Sequence, residues 1–266
     1  MNAAPIGVFD SGIGGLTVVH ALREQLPHES IVYVGDTARL PYGPKSPDTV
    51  RRYAHEVAGW LVAQQVKIVV VACNTATAHA LPSLRAALRV PVIGVVEPGA
   101  RAAVREDHAG HIGVIGTAGT IASGAYEKAI RAIAPTVTIT ARACPLFVPL
   151  VEEGWLDDDI TRRVAERYLQ PLRDDAVDAV VLGCTHYPLL KPVLREILGP
   201  AVALIDSADE TAAETARVLR AGDAEAAPGA AATLRCAVTD APEAFLRQAV
   251  RFLGWPLEFV ETISVS

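Results

Sequence analysis

The sequence predicts an α/β fold: two similar parallel-sheet α/β lobes, related by a pseudo-two-fold duplication, with a functional site in the cleft between them. Three observations predict it. Short β-branched apolar runs alternate with longer helix-like stretches, the rhythm of parallel strands covered by helices. The runs fall into two sets of four, at residues 6–9, 31–34, 68–71 and 92–95, then at 112–115, 137–139, 179–182 and 202–205. The two sets keep step, with 106 residues between Ile6 and Ile112 and 111 between Cys73 and Cys184.

Each element has its own signal. Ile6-Gly7-Val8-Phe9-Asp10-Ser11-Gly12 opens the first lobe and has a counterpart in Ile112-Gly113-Val114-Ile115-Gly116-Thr117-Ala118. The loop Asp10-Ser11-Gly12-Ile13-Gly14-Gly15 joins a strand to a helix, where backbone N–H groups can cradle an anion. It has part of a dinucleotide fingerprint, with Asp36 at the place of a ribose contact, but Thr17 stands where the third glycine belongs. A tight turn is the competing explanation for these glycines. Asp36, Thr37, Arg39, Tyr42 and Gly43 follow the second strand, and Asn74 and Thr75 follow the third. The lobe boundary is expected near Glu97-Pro98-Gly99, so that residues 1–97 and about 208–266 form the first lobe and 98–207 the second. After Asp206 come a helix over 210–220, an Ala/Gly-rich linker over 221–232, and a strand, a helix and a strand that return to the first lobe.

Composition limits the function classes. With 51% hydrophobic residues the chain can bury a substantial core, and a net charge of −6 gives no electrostatic reason to expect nucleic acid or an anionic membrane as partner. No run approaches the ~18 apolar residues of a membrane span, and the start carries no basic-then-apolar leader. A soluble, cytoplasmic protein with a small-molecule substrate is expected, and a homodimer is left open as its assembly. The four cysteines, Cys73, Cys144, Cys184 and Cys236, form no CxxC pair and are expected as free thiols. Cys144 and Cys236 read as small buried residues.

Cys73 and Cys184 read differently. Each ends a buried apolar run and is followed by small polar residues, so each thiol is placed at the carboxyl end of a parallel strand, where open α/β sheets put their ligands. Two thiols facing one substrate from opposite sides make a two-base proton-transfer site. Thr117, Thr120, Thr185 and His186 also gather at strand ends, as binding groups or as helix caps. His186, two residues from a thiol, can tune it or shuttle its proton. His20, His28, His55, His79, His108 and His111 read as surface or packing residues. No metal is expected, although Cys73, Cys184 and His186 would suffice in number for a catalytic zinc. A non-catalytic carboxylate-binding module is a further alternative. Lys45, Lys67, Lys128 and Lys191, the only lysines, lie in no recognisable pyridoxal phosphate loop, and no cofactor is expected.

Several segments together resemble the glutamate racemase family: Asp10 to Gly15, Gly35-Asp36-Thr37-Ala38-Arg39-Leu40-Pro41-Tyr42-Gly43, Ala72-Cys73-Asn74-Thr75-Ala76, the stretch from Cys144 to Gly154, Leu182-Gly183-Cys184-Thr185-His186-Tyr187-Pro188-Leu189, and Ile205 to Ala212. Thr77, where serine is usual, and Ala208-Asp209, in place of a glycine-containing pair, are minor departures, and the last ~50 residues carry little of the resemblance. The resemblance implies a cofactor-independent isomerase that interconverts L- and D-glutamate and supplies D-glutamate for peptidoglycan. It implies Cys73 and Cys184 as the acid/base pair, Asp10 as the assistant of Cys73, and His186 with Glu152 as that of Cys184. It implies Ser11, Tyr42, Gly43, Asn74, Thr75 and Thr185 as substrate-binding residues. A racemase of the same design acting on aspartate or a hydantoin is the nearest rival.

Overall fold

A computed structural model describes residues 2–105 and 110–265. In chain order the elements are β1 (Ile6–Asp10), α1 (Leu16–Gln25), β2 (Ile31–Gly35), α2 (Pro47–Ala63), β3 (Ile68–Val71), α3 (Asn74–Ala87), β4 (Val92–Gly94), α4 (Val96–Arg105), β5 (His111–Gly116), α5 (Ala118–Ala122), α6 (Ala125–Ile133), β6 (Thr138–Ala143), α7 (Phe147–Glu153), α8 (Asp159–Asp174), β7 (Ala179–Gly183), α9 (Lys191–Leu198), β8 (Ala203–Asp206), α10 (Ser207–Ala221), β9 (Leu234–Val238), α11 (Pro242–Leu253) and β10 (Glu261–Thr262). Short 3-10 turns cover Thr37–Arg39 and Tyr187–Leu190.

The strands form two all-parallel sheets. The first runs β10-β9-β2-β1-β3-β4 and the second β6-β5-β7-β8. Without its two terminal strands, the first sheet has the order of the second, each lobe's own first strand lying between its second and third. That shared order is the duplication expected from sequence. It also puts the reversal of strand order in both lobes at the same place, beside the strand that leads to a cysteine, and a crevice opens at such a point. The terminal segment adds β9 alongside β2 and β10 alongside β9, completing the first sheet.

Local chemistry accounts for the elements. The central strands β1, β2, β3 and β7 are buried along their whole length, which is why they read as unbroken apolar runs. Ser46 caps α2 ahead of Pro47, Asp158 caps α8 through the amides of Ile160 and Thr161, and Asp206 caps α10 through the amide of Ala208. Where expectation and structure differ, edges are responsible. β6 runs on to Ala143, well past the expected residue 139, because it is a half-exposed edge strand whose Thr-Ile-Thr-Ala-Arg-Ala lacks an apolar run. Glu97-Pro98-Gly99, where the lobe boundary is expected, lies within α4. One apolar cluster joins both lobes through Leu16, Leu22, Leu182, Ala212, Phe245 and Phe252. Two more fill the outer faces, around Phe9, Val57 and Leu81 in the first lobe and Val114, Tyr126 and Ile130 in the second.

Candidate active site

Cys73 and Cys184 line the same cavity, which both lobes enclose and which has about 40 Å³ of room, space for a few waters at most. Asp10, Ser11, Tyr42, Gly43, Asn74 and Thr75 of the first lobe line it with Thr117, Glu152, Thr185 and His186 of the second. Gly12, Leu40, Pro41 and Val148 complete the wall; they lie in segments singled out in the sequence but were not named there as site residues. A wider groove of about 560 Å³ lies between α3, α4 and α6, and its lining holds no cysteine.

Each thiol is held by the turn that follows its strand. Cys73 is the N-cap of α3, and its Sγ accepts from the Ala76 amide at 3.4 Å while the thiol donates to Ser11 Oγ at 3.7 Å. A sulfur at a helix N-terminus sits in the positive end of the dipole, which favours the thiolate. Burial opposes that. Desolvation, then the charge of Asp10, push the Cys73 thiol up to about 12 against the pull of the Ala76 and Ser11 hydrogen bonds. Cys184 follows β7 and is pushed up further by burial, opposed by the His186 amide and reinforced by the charges of Asp10, Cys73 and Glu152.

The groups around the thiols differ between lobes. His186 Nδ1 lies 3.9 Å from Cys184 Sγ, and its Nε2 lies 3.0 Å from Glu152 Oε1. A carboxylate only accepts, so Nε2 donates to Glu152 and Nδ1 is the ring nitrogen that faces the thiol. Asp10 is buried at the end of β1. Its Oδ2 accepts from the Gly12 amide at 2.9 Å, whereas Oδ1 has no partner. Burial raises the Asp10 carboxyl above its ordinary range, and the charge of His186 and the amides of Gly12, Gly15 and Ser11 pull it back. Asn74 is fixed from across the cleft: Tyr126 donates to its Oδ1 at 2.7 Å, leaving Nδ2 buried and unpartnered. These two buried polar atoms without partners belong to residues that line the same cavity.

Other expected residues take narrower positions. Tyr42 lines the cavity, but its hydroxyl donates to Asp36, so its backbone is what it offers a ligand. Asp36 is fully buried and also holds Arg39 and Thr239, so it is a structural anchor and makes no ribose contact. Thr120 lies behind the wall, bonded to Thr75 at 3.2 Å and Thr117 at 3.0 Å. In the Gly12–Gly15 loop the Gly12 amide is taken by Asp10, and the Leu16, Thr17 and Val18 amides that follow bond within the turn. Gly14 is instead a point of close approach, because a Cβ there would run into Thr185 Oγ1 and His186 Nδ1 of the other lobe.

The remaining thiols and histidines lie outside the site. Cys144 and Cys236 are buried core residues whose thiols burial pushes up to about 12. His20 bonds Leu253 O, His55 lies 2.9 Å from Ser83 Oγ, and His111 pairs with Thr140. His79 is half-buried against Gly119, His28 is exposed, and His108 lies outside the described residues. Among the described residues no three His, Cys, Asp or Glu side chains are grouped to hold a metal. None of the described helices is long and apolar enough to cross a membrane.

Two parallel-sheet lobes that close one thiol each over a shared cavity define a class, and comparison with known proteins agrees: the chain belongs to the Asp/Glu/Hydantoin racemase family, which it matches over residues 11–215. A glutamate racemase from Geobacter metallireducens is 52% identical over 260 residues, spanning 98% of this chain and 96% of that protein. Among solved structures, a glutamate racemase isoform from Bacillus anthracis superposes with a TM-score of 0.95 at 40% identity, over 99% of this chain and 98% of its own. The Francisella tularensis glutamate racemase in complex with D-glutamate superposes with a TM-score of 0.93 at 37% identity, over 99% of this chain and 98% of its own. The match to the Geobacter metallireducens protein and the two structural superpositions take in the last ~50 residues, which the family match over 11–215 does not.

Proposed function

We propose that this chain is a glutamate racemase that inverts the α-carbon of glutamate by a two-base mechanism without a cofactor, in the cytoplasm, supplying D-glutamate for peptidoglycan and thereby cell-wall biogenesis and cell shape. The observation that carries the proposal is the pair Cys73 and Cys184, delivered from equivalent strand ends of opposite lobes to one closed cavity. The lobe limits of 1–97 with about 208–266, and 98–207, are part of the same proposal.

Removing an α-proton leaves a planar carbanion, and a single base returns the proton to the face it left. With two, Cys184 thiolate takes the proton of L-glutamate and becomes a thiol. The C–H electron pair passes to the α-carbon and its carboxylate, and the Cys73 thiol gives its proton to the opposite face and is left as thiolate. D-glutamate runs the same steps in reverse. His186, oriented by Glu152, exchanges a proton with Cys184, and Asp10 does the corresponding work near Cys73 while its free Oδ1 receives the substrate ammonium. Ser11, the Tyr42 and Gly43 backbone, Asn74, Thr75, Thr117 and Thr185 supply donors for the carboxylates, with Thr120 bracing two of them from behind. Donors preorganised in a water-poor cavity stabilise the developing charge.

The thiolate needs help. Burial holds the Cys73 thiol above its ordinary value even with the Ala76 amide at the helix N-terminus and the Ser11 hydroxyl in place. The substrate ammonium, the one full positive charge brought in by turnover, favours the thiolate.

The test is L-glutamate in deuterated water with chelator present and no added cofactor. Early D-glutamate should carry α-deuterium while recovered L-glutamate does not, since each face has its own thiol. Equal early labelling of both points to a single base or to fast thiol exchange with solvent, and activity only on adding zinc or pyridoxal phosphate refutes the mechanism.

A further inference from the structure

The proton transfers above leave one arrangement unused. Helix α11 belongs with the first lobe, yet its last turn ends against the Cys184 half. That turn is fastened to α1, where His20 Nδ1 lies 2.7 Å from Leu253 O and the His20 ring meets Trp255 at 5.4 Å between centroids. Two side chains then cross to the second lobe. Phe252 meets the His186 ring in a T-shaped contact at 5.2 Å, and Arg251 Nη1 donates to Val151 O at 2.9 Å and Glu152 O at 3.0 Å.

Those carbonyls are at the C-terminal end of α7, a helix of seven residues. So short a helix is marginal by itself, and its carbonyl end is the negative end of its dipole. A guanidinium there answers both. Gly154, at φ +81°, ends the helix and leaves the seat open, because a Cβ would stand 2.6 Å from Arg251 Nη2. Glu152 stands on this last turn, with its carboxylate on His186 Nε2.

We propose that Arg251 is a positioning residue for proton transfer at Cys184: by binding the Val151 and Glu152 carbonyls it holds the last turn of α7, which aims Glu152 at His186 and His186 at the thiol. The proposal rests on the two-base reading. It gives the terminal segment a task, a strut from the first sheet to the acid/base apparatus of the second lobe. The Cys73 partners, Ser11 and the Ala76 amide, lie outside this chain of contacts.

Arg251 is exposed, so Arg251→Met should melt within a few degrees of the parent. Enantiomers have equal free energy, so kcat/KM must fall by one factor for L- and D-glutamate; the expected fall is roughly 10- to 100-fold. Arg251→Lys, which keeps charge and donors, should recover most of it. The sidedness shows in two other measurements. The α-deuterium isotope effect on kcat/KM should rise for L-glutamate, whose proton Cys184 removes, and not for D-glutamate. Iodoacetamide alkylation, resolved by peptide mapping at fixed pH, should change several-fold at Cys184, whose neighbours Glu152 and His186 lose their fixed positions, with Cys73 unchanged. An unchanged Cys184, or an equal change at both thiols, overturns the proposal. Alkylation requires no turnover, so a parent protein that fails to racemise glutamate refutes the racemase reading while the effect of Arg251 on Cys184 is still read.

Discussion

The two cysteines occupy matching places in matching sheets, yet their surroundings have little in common. Cys73 caps a 14-residue helix and meets a serine hydroxyl, with a buried carboxyl nearby. Cys184 is followed by a short 3-10 turn that runs on into α9, and it lies beside an imidazole backed by a carboxylate. A duplicated backbone supplies two symmetric positions, but a chiral substrate does not present two equivalent faces. Its ammonium and two carboxylates must be held by a fixed, asymmetric set of donors. In the proposed mechanism the thiols therefore perform mirror-image proton transfers from unlike settings, the two lobes sharing a strand order but not what stands around the sulfur.

The sharpest way to break this comparison is to remove one side of it. Cys73→Ala and Cys184→Ala should each lower racemisation by roughly 10³-fold or more, measured by polarimetry from either enantiomer, because loss of either base blocks the path in both directions. Near-parental turnover in either variant would show that the halves are not partners.

A smaller change sharpens the contrast between the assistants. Asp10→Asn should cost about 10²-fold in kcat and yet raise the melting temperature at neutral pH. The sign follows from linkage. The folded-state pKa of Asp10 is raised by burial, so its protonated form contributes stability below about pH 3.8 that is lost as pH rises through the raised value. At neutral pH the buried charge is a cost, and asparagine removes it. The stability gap between variant and parent should shrink as the pH is lowered towards 4. His186→Asn, in the other half, should lose comparable activity with no such gain, since it gives up the contacts to Glu152 and Phe252.

The smallest expected effect separates wall from backing. Thr75→Val should raise KM for glutamate by about tenfold, the worth of one lost hydrogen bond to a charged group. Thr120→Val should leave KM within about threefold and instead lower stability by about 1 kcal/mol, through its lost bonds to Thr75 and Thr117. Equal KM effects would put Thr120 in the wall after all.

Much of this was legible in the chain because buried parallel strands leave a plain signature. Residues 6–9, 68–71 and 179–182 are apolar on both faces, so their runs are unbroken and the cysteines at their ends stand out. β6 was underread because an edge strand is half solvated and its threonines and arginine satisfy no strong pattern. Site residues were found wherever a polar group follows a strand, a rule that fixes distance along the chain but not depth. It therefore brought in Thr120, behind the wall, along with Thr75 and Thr117, which form it.

The sequence alone determined the duplicated α/β rhythm, the free-thiol chemistry and the two cysteines as candidate bases, because strand periodicity and strand-end position are local properties of the chain. Only the tertiary structure decided that the two thiols share one cavity, that Tyr42 turns its hydroxyl away to Asp36, that Tyr126 fixes Asn74 from the opposite lobe, and that Arg251 and Phe252 reach the Glu152–His186 pair. These contacts join residues that are distant in sequence, Arg251 and Val151 being 100 apart. They depend on how two lobes close on each other, a matter of shape and packing that no local pattern records.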